Sequence, residues 1–179
     1  TALTSITIPK SVRYIGEIAI YNSPALQSMS VEAGNAKYDS RNNCNAIIEK
    51  TTNKLLFGCQ NTIIPSTVTS IEANAFYNCS NLQSITIPSA VTSIGRAAFH
   101  GCYALKHVTI PRKVTTINDW TFGNCTSLQE IKIHSRVDCV GEYAFQGCSS
   151  AKKLIIGSGV KSIKEYAFDG CNAIDTIYC

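Results

Sequence analysis

The chain has 179 residues, enough for one domain with a buried core, and 45% of them are hydrophobic. Charged residues make up only 16%, below the usual share of about a quarter, which excludes a disordered chain and a coiled coil. Lysine and arginine (16) exceed aspartate and glutamate (12) by +4, an excess too small and too scattered to indicate nucleic-acid binding.

No stretch approaches the roughly 18 consecutive apolar residues that a membrane-spanning helix needs. The first residues also lack a basic segment followed by an apolar one, so the sequence predicts no signal peptide. We therefore expect no membrane insertion by this segment.

A repeat of 23 residues is the strongest signal in the chain. Phenylalanines recur with this spacing at Phe76, Phe99, Phe122, Phe145 and Phe168. Cysteines follow with the same spacing at Cys79, Cys102, Cys125, Cys148 and Cys171. Because two residue types share one period, the sequence predicts a solenoid of stacked turns.

The repeat divides the chain into seven complete turns and an eighth strand. One step, from the second leading residue to the third, is stretched from 23 to 33 residues. The turns begin at Leu3, Leu26, Cys59, Leu82, Leu105, Leu128, Ala151 and Ile174.

Each turn begins with a predicted strand. Ile85 and Ile87 alternate with polar residues, the period of a strand with one buried side. Pro88 ends the strand because it has no N–H group to donate. Val91 and Ile94 then return apolar side chains to the interior.

The second half of the turn has a helical composition. Residues 95–100 are expected to form one or two helical turns, ended by Gly101. About seven apolar side chains, each contributing roughly 1.5–3 kcal/mol when buried, cannot offset the backbone entropy of a whole turn. The turns must therefore stack on their neighbours.

The stretched turn carries a predicted β-hairpin over residues 32–58. Two apolar runs, 45–50 and 54–58, are separated by the polar triplet Thr51-Thr52-Asn53. We expect the hairpin to project from the convex side or from an edge. It is either a variant of turn length or a protrusion that contacts a ligand.

The repeated unit L-x-x-I-x-I-P-x-x-V-x-x-I-x-x-x-A-F-x-x-C resembles the BspA-like class of leucine-rich repeats, from Leu3 to Cys179. This resemblance implies an α/β fold, a right-handed β/α superhelix (solenoid) with a concave parallel sheet. It also implies a bacterial protein, secreted or at the cell surface. Some members are adhesins for host matrix proteins, but the repeat itself specifies no ligand.

The cysteines in register are predicted to be packed thiols that fill a narrow interior. Disulfides between neighbouring turns and a functional thiol or metal site are the alternatives. Cys59 and Cys179 fall at inward strand positions, whereas Cys44 and Cys139 lie outside the repeat template. Cys44 is left either free or paired with Cys59.

Catalytic chemistry has no candidate in the sequence. The three histidines, His100, His107 and His134, occupy different template positions, so we expect them to be solvated rather than convergent. No nucleophile or phosphate-binding motif occurs, and the carboxylates are dispersed. We predict that the chain is not an enzyme and that it needs no metal and no cofactor.

The concave face is the predicted binding surface, because the curvature of a solenoid exposes one broad sheet. Its first strands carry small hydroxyl side chains, whereas charged residues begin at His107, with Lys152 nearby in the template. This basic half favours an acidic protein or a sulfated glycan. The candidate binding residues are Lys106, His107, Thr109, Arg112, Glu130, Lys132, Lys153 and Tyr178.

The predicted function is a secreted or cell-surface module that binds a host or bacterial protein, adhesin-like, with extracellular-matrix proteins as candidate partners. A structural spacer that displays other domains and a glycan-binding module are the alternatives. We predict no nucleic-acid partner. Residues 1–179 are expected to form a single solenoid that belongs to a longer protein, because both ends fall inside a turn without a polar cap, and such ends also predict end-to-end self-association.

Overall fold

The computed structural model describes residues 3–179. Thr1 and Ala2, which the predicted solenoid includes, lie outside the described residues. Within the described part of the chain the only helix is a short 3-10 segment, Arg41–Asn43, and no helix there is long and apolar enough to cross a membrane. The strands are β1 (Ser5–Ile8), β2 (Ser28–Val31), β3 (Tyr38–Asp39), β4 (Ala46–Glu49), β5 (Lys54–Gly58), β6 (Ser70–Ile71), β7 (Ser93–Ile94), β8 (Thr116–Ile117), β9 (Glu130–Ile133), β10 (Cys139–Val140), β11 (Lys153–Ile156), β12 (Ser162–Ile163) and β13 (Thr176–Tyr178).

The predicted opening strands that form, β1, β2, β9, β11 and β13, lie on one side of the molecule, which we call the front face. The opening strands predicted for the turns that begin at Cys59, Leu82 and Leu105 are wrong, since residues 59–65, 82–88 and 105–111 form no strand. On the front face, β1 pairs in parallel with β2, and β11 pairs in parallel with both β9 and β13. Glu130 lies opposite Lys153, its equivalent in the next turn. Between the two groups of strands, Ser84 and His107 form an isolated parallel bridge. Successive turns are therefore stacked in register, which confirms the predicted solenoid.

The segment after the proline turn forms a second, shorter set of parallel strands, the back face. Here β6 pairs with β7, and β10 pairs with β8 and β12. The predicted return of apolar side chains to the interior is confirmed. The buried side chains are Ile71, Ile94, Ile117 and Val140.

The helix predicted over residues 95–100 is wrong, because the backbone there bonds to the next turn. Phe99 N–H donates to the carbonyl of Thr121 at 2.9 Å, and the alternate N–H groups bond three residues back. Ala97 also has a left-handed backbone, with φ of 52°, as does Gly101 with φ of 71°. A continuous i to i−4 ladder cannot form in this geometry. The fold is consequently a β-solenoid rather than a β/α superhelix.

The phenylalanines stack in the centre of the molecule. Phe99 lies 4.9 Å from Phe76 and 5.4 Å from Phe122, measured between ring centroids, and the rings are within 9° of parallel. The stack continues to Phe145 and Phe168 at 5.4 and 5.7 Å. The first four rings are buried, which confirms their predicted place in the core.

Buried thiols run beside the phenylalanine stack and tie adjacent turns together. The Sγ of Cys102, Cys125 and Cys148 each donates, at 3.3 Å, to the carbonyl of the phenylalanine 26 residues earlier. Burial raises the pKa of Cys79 and Cys125 to about 12. The predicted packed thiols are confirmed at these four positions, which are buried and free of disulfides.

The other cysteines are also free thiols. Cys44 and Cys59 are both buried, and Cys44 Sγ donates to the carbonyl of Ala46 at 3.7 Å. The Cys179 side chain is exposed and so is not part of the core.

The hairpin of the stretched turn is an antiparallel pair of β4 and β5. The expectation that it projects is wrong, because Ile47, Ile48 and Leu55 are fully buried. Ile48 packs into the main core, while Ile47 packs into a second core with Leu26 and other residues of the first two turns. The hairpin is thus a wall between two cores, and β5 joins the back face by pairing in parallel with β6.

Candidate binding surface

The outward positions of the front face are exposed or half-buried, as predicted, and most of their inward neighbours are buried. In β9, for example, Ile131 and Ile133 point into the core while Lys132 is exposed. The inward residues that are not buried are Ile6, Val31, Val108 and Ile156, which are half-buried, and Ile177, which is exposed. Lys132 pairs in register with Ile155, and Ile155 pairs with Tyr178. The alternation of the strands therefore fixes which side chains face a partner.

Five of the eight candidate residues line one cavity of about 370 Å³ on the front face, which we call the front groove. These are His107, Thr109, Arg112, Glu130 and Lys132. Val108, Ile110 and His134 complete the lining. The groove thus combines an apolar floor with hydroxyl, carboxylate and cationic groups.

His134 shapes the wall of the front groove. Its Nδ1 accepts a hydrogen bond from the backbone N–H of Arg136 at 3.2 Å, and its Nε2 lies 3.0 Å from the carbonyl of Pro111. Because Nδ1 accepts, the geometry assigns the proton to Nε2, which donates to Pro111. The ring thereby joins two turns at the position where other repeats have proline.

The expectation of solvated histidines holds for one residue of three. His107 is exposed, but His134 is half-buried in the hydrogen bonds just described. His100 is half-buried and stacks on Tyr77 with a centroid separation of 5.0 Å, and burial lowers its pKa. His134 lines the groove although it was not among the candidate binding residues, and the one signal in the sequence is its position 23 residues after Pro111 and 46 after Pro88.

The charge of the front groove is predominantly cationic. Glu130 carries the one carboxylate of the lining, and Lys153 Nζ, 3.4 Å from its Oε1, partly neutralises that negative charge. Neither Arg112 nor Lys132 forms an ion pair with any residue of the range 3–179. Lys153 Nζ also lies 4.9 Å from the ring centroid of Tyr178. Lys153 and Tyr178 therefore sit beside the groove, held by contacts of their own.

Lys106 lies apart from the front groove. It lines a separate cavity of about 520 Å³ at the start of the front strands, together with Ser127, Gln129, Ser150 and Lys152. We call this cavity the edge groove. The basic patch predicted from the sequence is therefore divided between two grooves.

Metal binding has no counterpart in the residues that the structure describes: no three His, Cys, Asp or Glu side chains come together there as a ligand set.

A parallel stack of repeats with one exposed sheet defines the class of repeat solenoids. Within that class, the profile described as BspA type leucine-rich repeat region matches the chain in six copies, over residues 1–54 and 46–175. The chain belongs to this family, and the resemblance inferred from the repeat is confirmed.

Solved structures of bacterial repeat proteins are similar to the chain. A leucine-rich cell surface protein from Faecalibacterium prausnitzii is 32% identical over 99% of the chain, with a TM-score of 0.89. A leucine-rich repeat protein from Eubacterium ventriosum is 28% identical over 99%, with a TM-score of 0.87. The pneumococcal vaccine antigen PcpA, 22% identical over 98% with a TM-score of 0.82, shares the fold.

The chain spans about half the length of these proteins, namely 48%, 49% and 44% of them. None of the curated proteins compared with the chain matches it significantly.

Proposed function

We propose that the chain is a non-enzymatic binding module of a bacterial surface protein, adhesin-like, and that its front groove holds a host or bacterial protein with an acidic surface. The observation that carries this proposal is the convergence of Arg112 and Lys132 on one exposed groove, where neither forms an ion pair with a residue that the structure describes. A location outside the cell is supported by the similarity to a protein described as a cell surface protein.

The groove has the chemistry that recognises a carboxylate on another protein. Arg112 offers a planar guanidinium that can donate two parallel hydrogen bonds to one carboxylate. Lys132 adds a second positive charge, and Thr109 adds a hydroxyl. Glu130 disfavours partners that present carboxylates across the whole groove, so it contributes to specificity.

Binding to a panel of purified extracellular-matrix proteins, such as collagen, laminin and fibronectin, tests the proposal by surface plasmon resonance. We expect saturable binding to at least one of them. The double variant Arg112→Ser, Lys132→Ser should weaken it by about tenfold, and added salt should weaken it further.

The matched control is Lys10→Ser, since Lys10 is an exposed lysine of the first turn outside both grooves. Equal loss in the control and the double variant would contradict a specific front groove. The absence of any saturable partner would favour a structural spacer instead.

A further inference from the structure

A second surface of distinct chemistry runs along the edge of the molecule, across the turns. The edge groove is followed, toward the N-terminus, by a cavity of about 440 Å³ lined by Gln60, Asn61, Asn81, Gln83, Ser84 and Ala104. Residues at one position of the repeat, each 23 residues after the last, line these two cavities. They are Gln60, Gln83, Lys106, Gln129 and Lys152. At about 4.8 Å per turn, these residues extend for roughly 19 Å.

The backbone of this edge is already bonded between turns. Lys106 N–H donates to the carbonyl of Gln83 at 3.2 Å, and Gln129 N–H donates to that of Lys106 at 3.1 Å. Lys152 N–H continues the series to Gln129 at 3.0 Å. A ligand on this edge would therefore meet side chains rather than free backbone groups.

The side chains along the edge are amides, hydroxyls and ammonium groups. The two linings together contain one apolar residue, Ala104, which belongs to the first cavity. Lys106 and Lys152 are exposed and form no ion pair with any residue that the structure describes. The edge thus offers many hydrogen bonds, two free positive charges and almost no apolar contact.

We propose that this edge binds a linear anionic polysaccharide that runs across the turns, with its acidic groups on Lys106 and Lys152 and its hydroxyl groups on the glutamine and serine side chains between and beside them. The two lysines are two turns apart, or about 10 Å, so an extended chain with regularly spaced charges reaches both.

The composition of the edge disfavours the other macromolecules. Protein interfaces depend on aromatic or arginine anchors in well-packed pockets, and neither cavity has one in its lining. Single-stranded nucleic acid requires aromatic side chains on which its bases stack, and these linings contain none.

The proposal is independent of the front groove, because the residue sets of the two sites do not overlap. Loss of binding to matrix proteins would therefore leave the polysaccharide site standing, and the reverse also holds.

The test measures binding of the full chain to heparin, which carries sulfate groups, and to hyaluronate, which carries only carboxylates. We expect saturable binding to at least one, and the stronger of the two identifies the acidic group. The variant Lys106→Gln, Lys152→Gln should weaken it at least fivefold, and Gln129→Ala about twofold, with unchanged thermal stability.

The control variant is Lys10→Gln, which removes an exposed lysine away from the edge. Two other polyanions serve as controls. Polyglutamate carries carboxylates but no sugar hydroxyl groups, and single-stranded DNA carries phosphates and bases that stack. The proposal is overturned if neither polysaccharide binds, if Lys10→Gln loses as much affinity as the lysine pair, or if either control polyanion binds as tightly.

Discussion

Cys125 shows how one buried side chain links protonation to stability. Its thiol is fully buried and donates to the carbonyl of Phe99, and burial raises its pKa to about 12. In the unfolded chain the thiol titrates near its ordinary value of 9.0. Because the folded pKa is the higher one, the stabilisation is complete below pH 9 and is lost as the pH rises toward 12.

We therefore predict that the free energy of unfolding falls between pH 9 and pH 12, by up to about 1.4 kcal/mol per pH unit for each such thiol. Urea denaturation at pH 8 and at pH 10.5 measures this loss. Cys125→Ala should lose less over the same interval than the parent does. An equal loss in the variant would show that the Cys125 thiol is not the group that titrates.

Gly123 lies where two aromatic side chains meet. A Cβ at this position would lie 2.7 Å from His100 Nδ1 and 3.1 Å from Trp120 Cε3. These rings belong to an aromatic ladder on the outer turns, which comprises Tyr21, Tyr77, His100, Trp120, Tyr143 and Tyr166. The ladder changes position in the repeat here, since His100 follows Phe99 by one residue whereas Trp120 precedes Phe122 by two. Gly123 leaves room for the two rings to meet.

Gly123→Ala is expected to cost about 1–3 kcal/mol, because the new methyl group must displace His100 or Trp120. Gly16→Ala is the matched control, since its Cβ would meet nothing closer than 3.9 Å. Thermal unfolding followed by the fluorescence of the single tryptophan measures both variants. A neutral Gly123→Ala would contradict the close packing of this crossing.

At the scale of elements, the burial of apolar side chains was predictable, but the backbone structure of the turn was predictable only in part, since the segment around Ile85 forms one isolated bridge instead of a strand. The alternation of Ile85 and Ile87 with polar residues depends only on neighbours in sequence, and both side chains are buried. The backbone conformation of residues 95–100 depends on hydrogen bonds to carbonyls of the next turn, such as that of Thr121. Helix propensity describes only local sequence and does not include these bonds. The helical composition of this segment therefore led to a wrong prediction.

The hairpin illustrates the same limit in another way. Two apolar runs around a polar triplet predict a hairpin, but not the surfaces that cover it. Both faces of β4 are buried, so Ile47 and Ile48 are consecutive apolar residues that serve different cores. That arrangement depends on turns distant in sequence.

Leu55→Ala tests the buried position of the hairpin. The side chain is fully buried in the main core, so its truncation should cost about 2–5 kcal/mol in urea denaturation. Ile63→Ala is the control, because Ile63 is 75% exposed, and it should be nearly neutral. Similar small effects of both substitutions would indicate a hairpin that projects from the solenoid.

At the scale of the whole molecule, stacking converts the repeat into surfaces. The outward positions of the front strands follow from alternation and register, so residues such as His107 and Lys132 were predictable as exposed. Their division into a front groove and an edge groove was not, because it depends on where Arg112 and Lys106 lie relative to the sheet. The role of His134 depends likewise on Pro111 in the preceding turn.

Hydrogen–deuterium exchange with and without a bound matrix protein tests the central claim most directly, namely that the stacked turns present the front groove to a protein partner. The account predicts slower exchange on binding in residues 107–113 and 130–136, which border the groove. The account would be contradicted if exchange slowed only around residues 95–101 and did not change in residues 107–113 and 130–136.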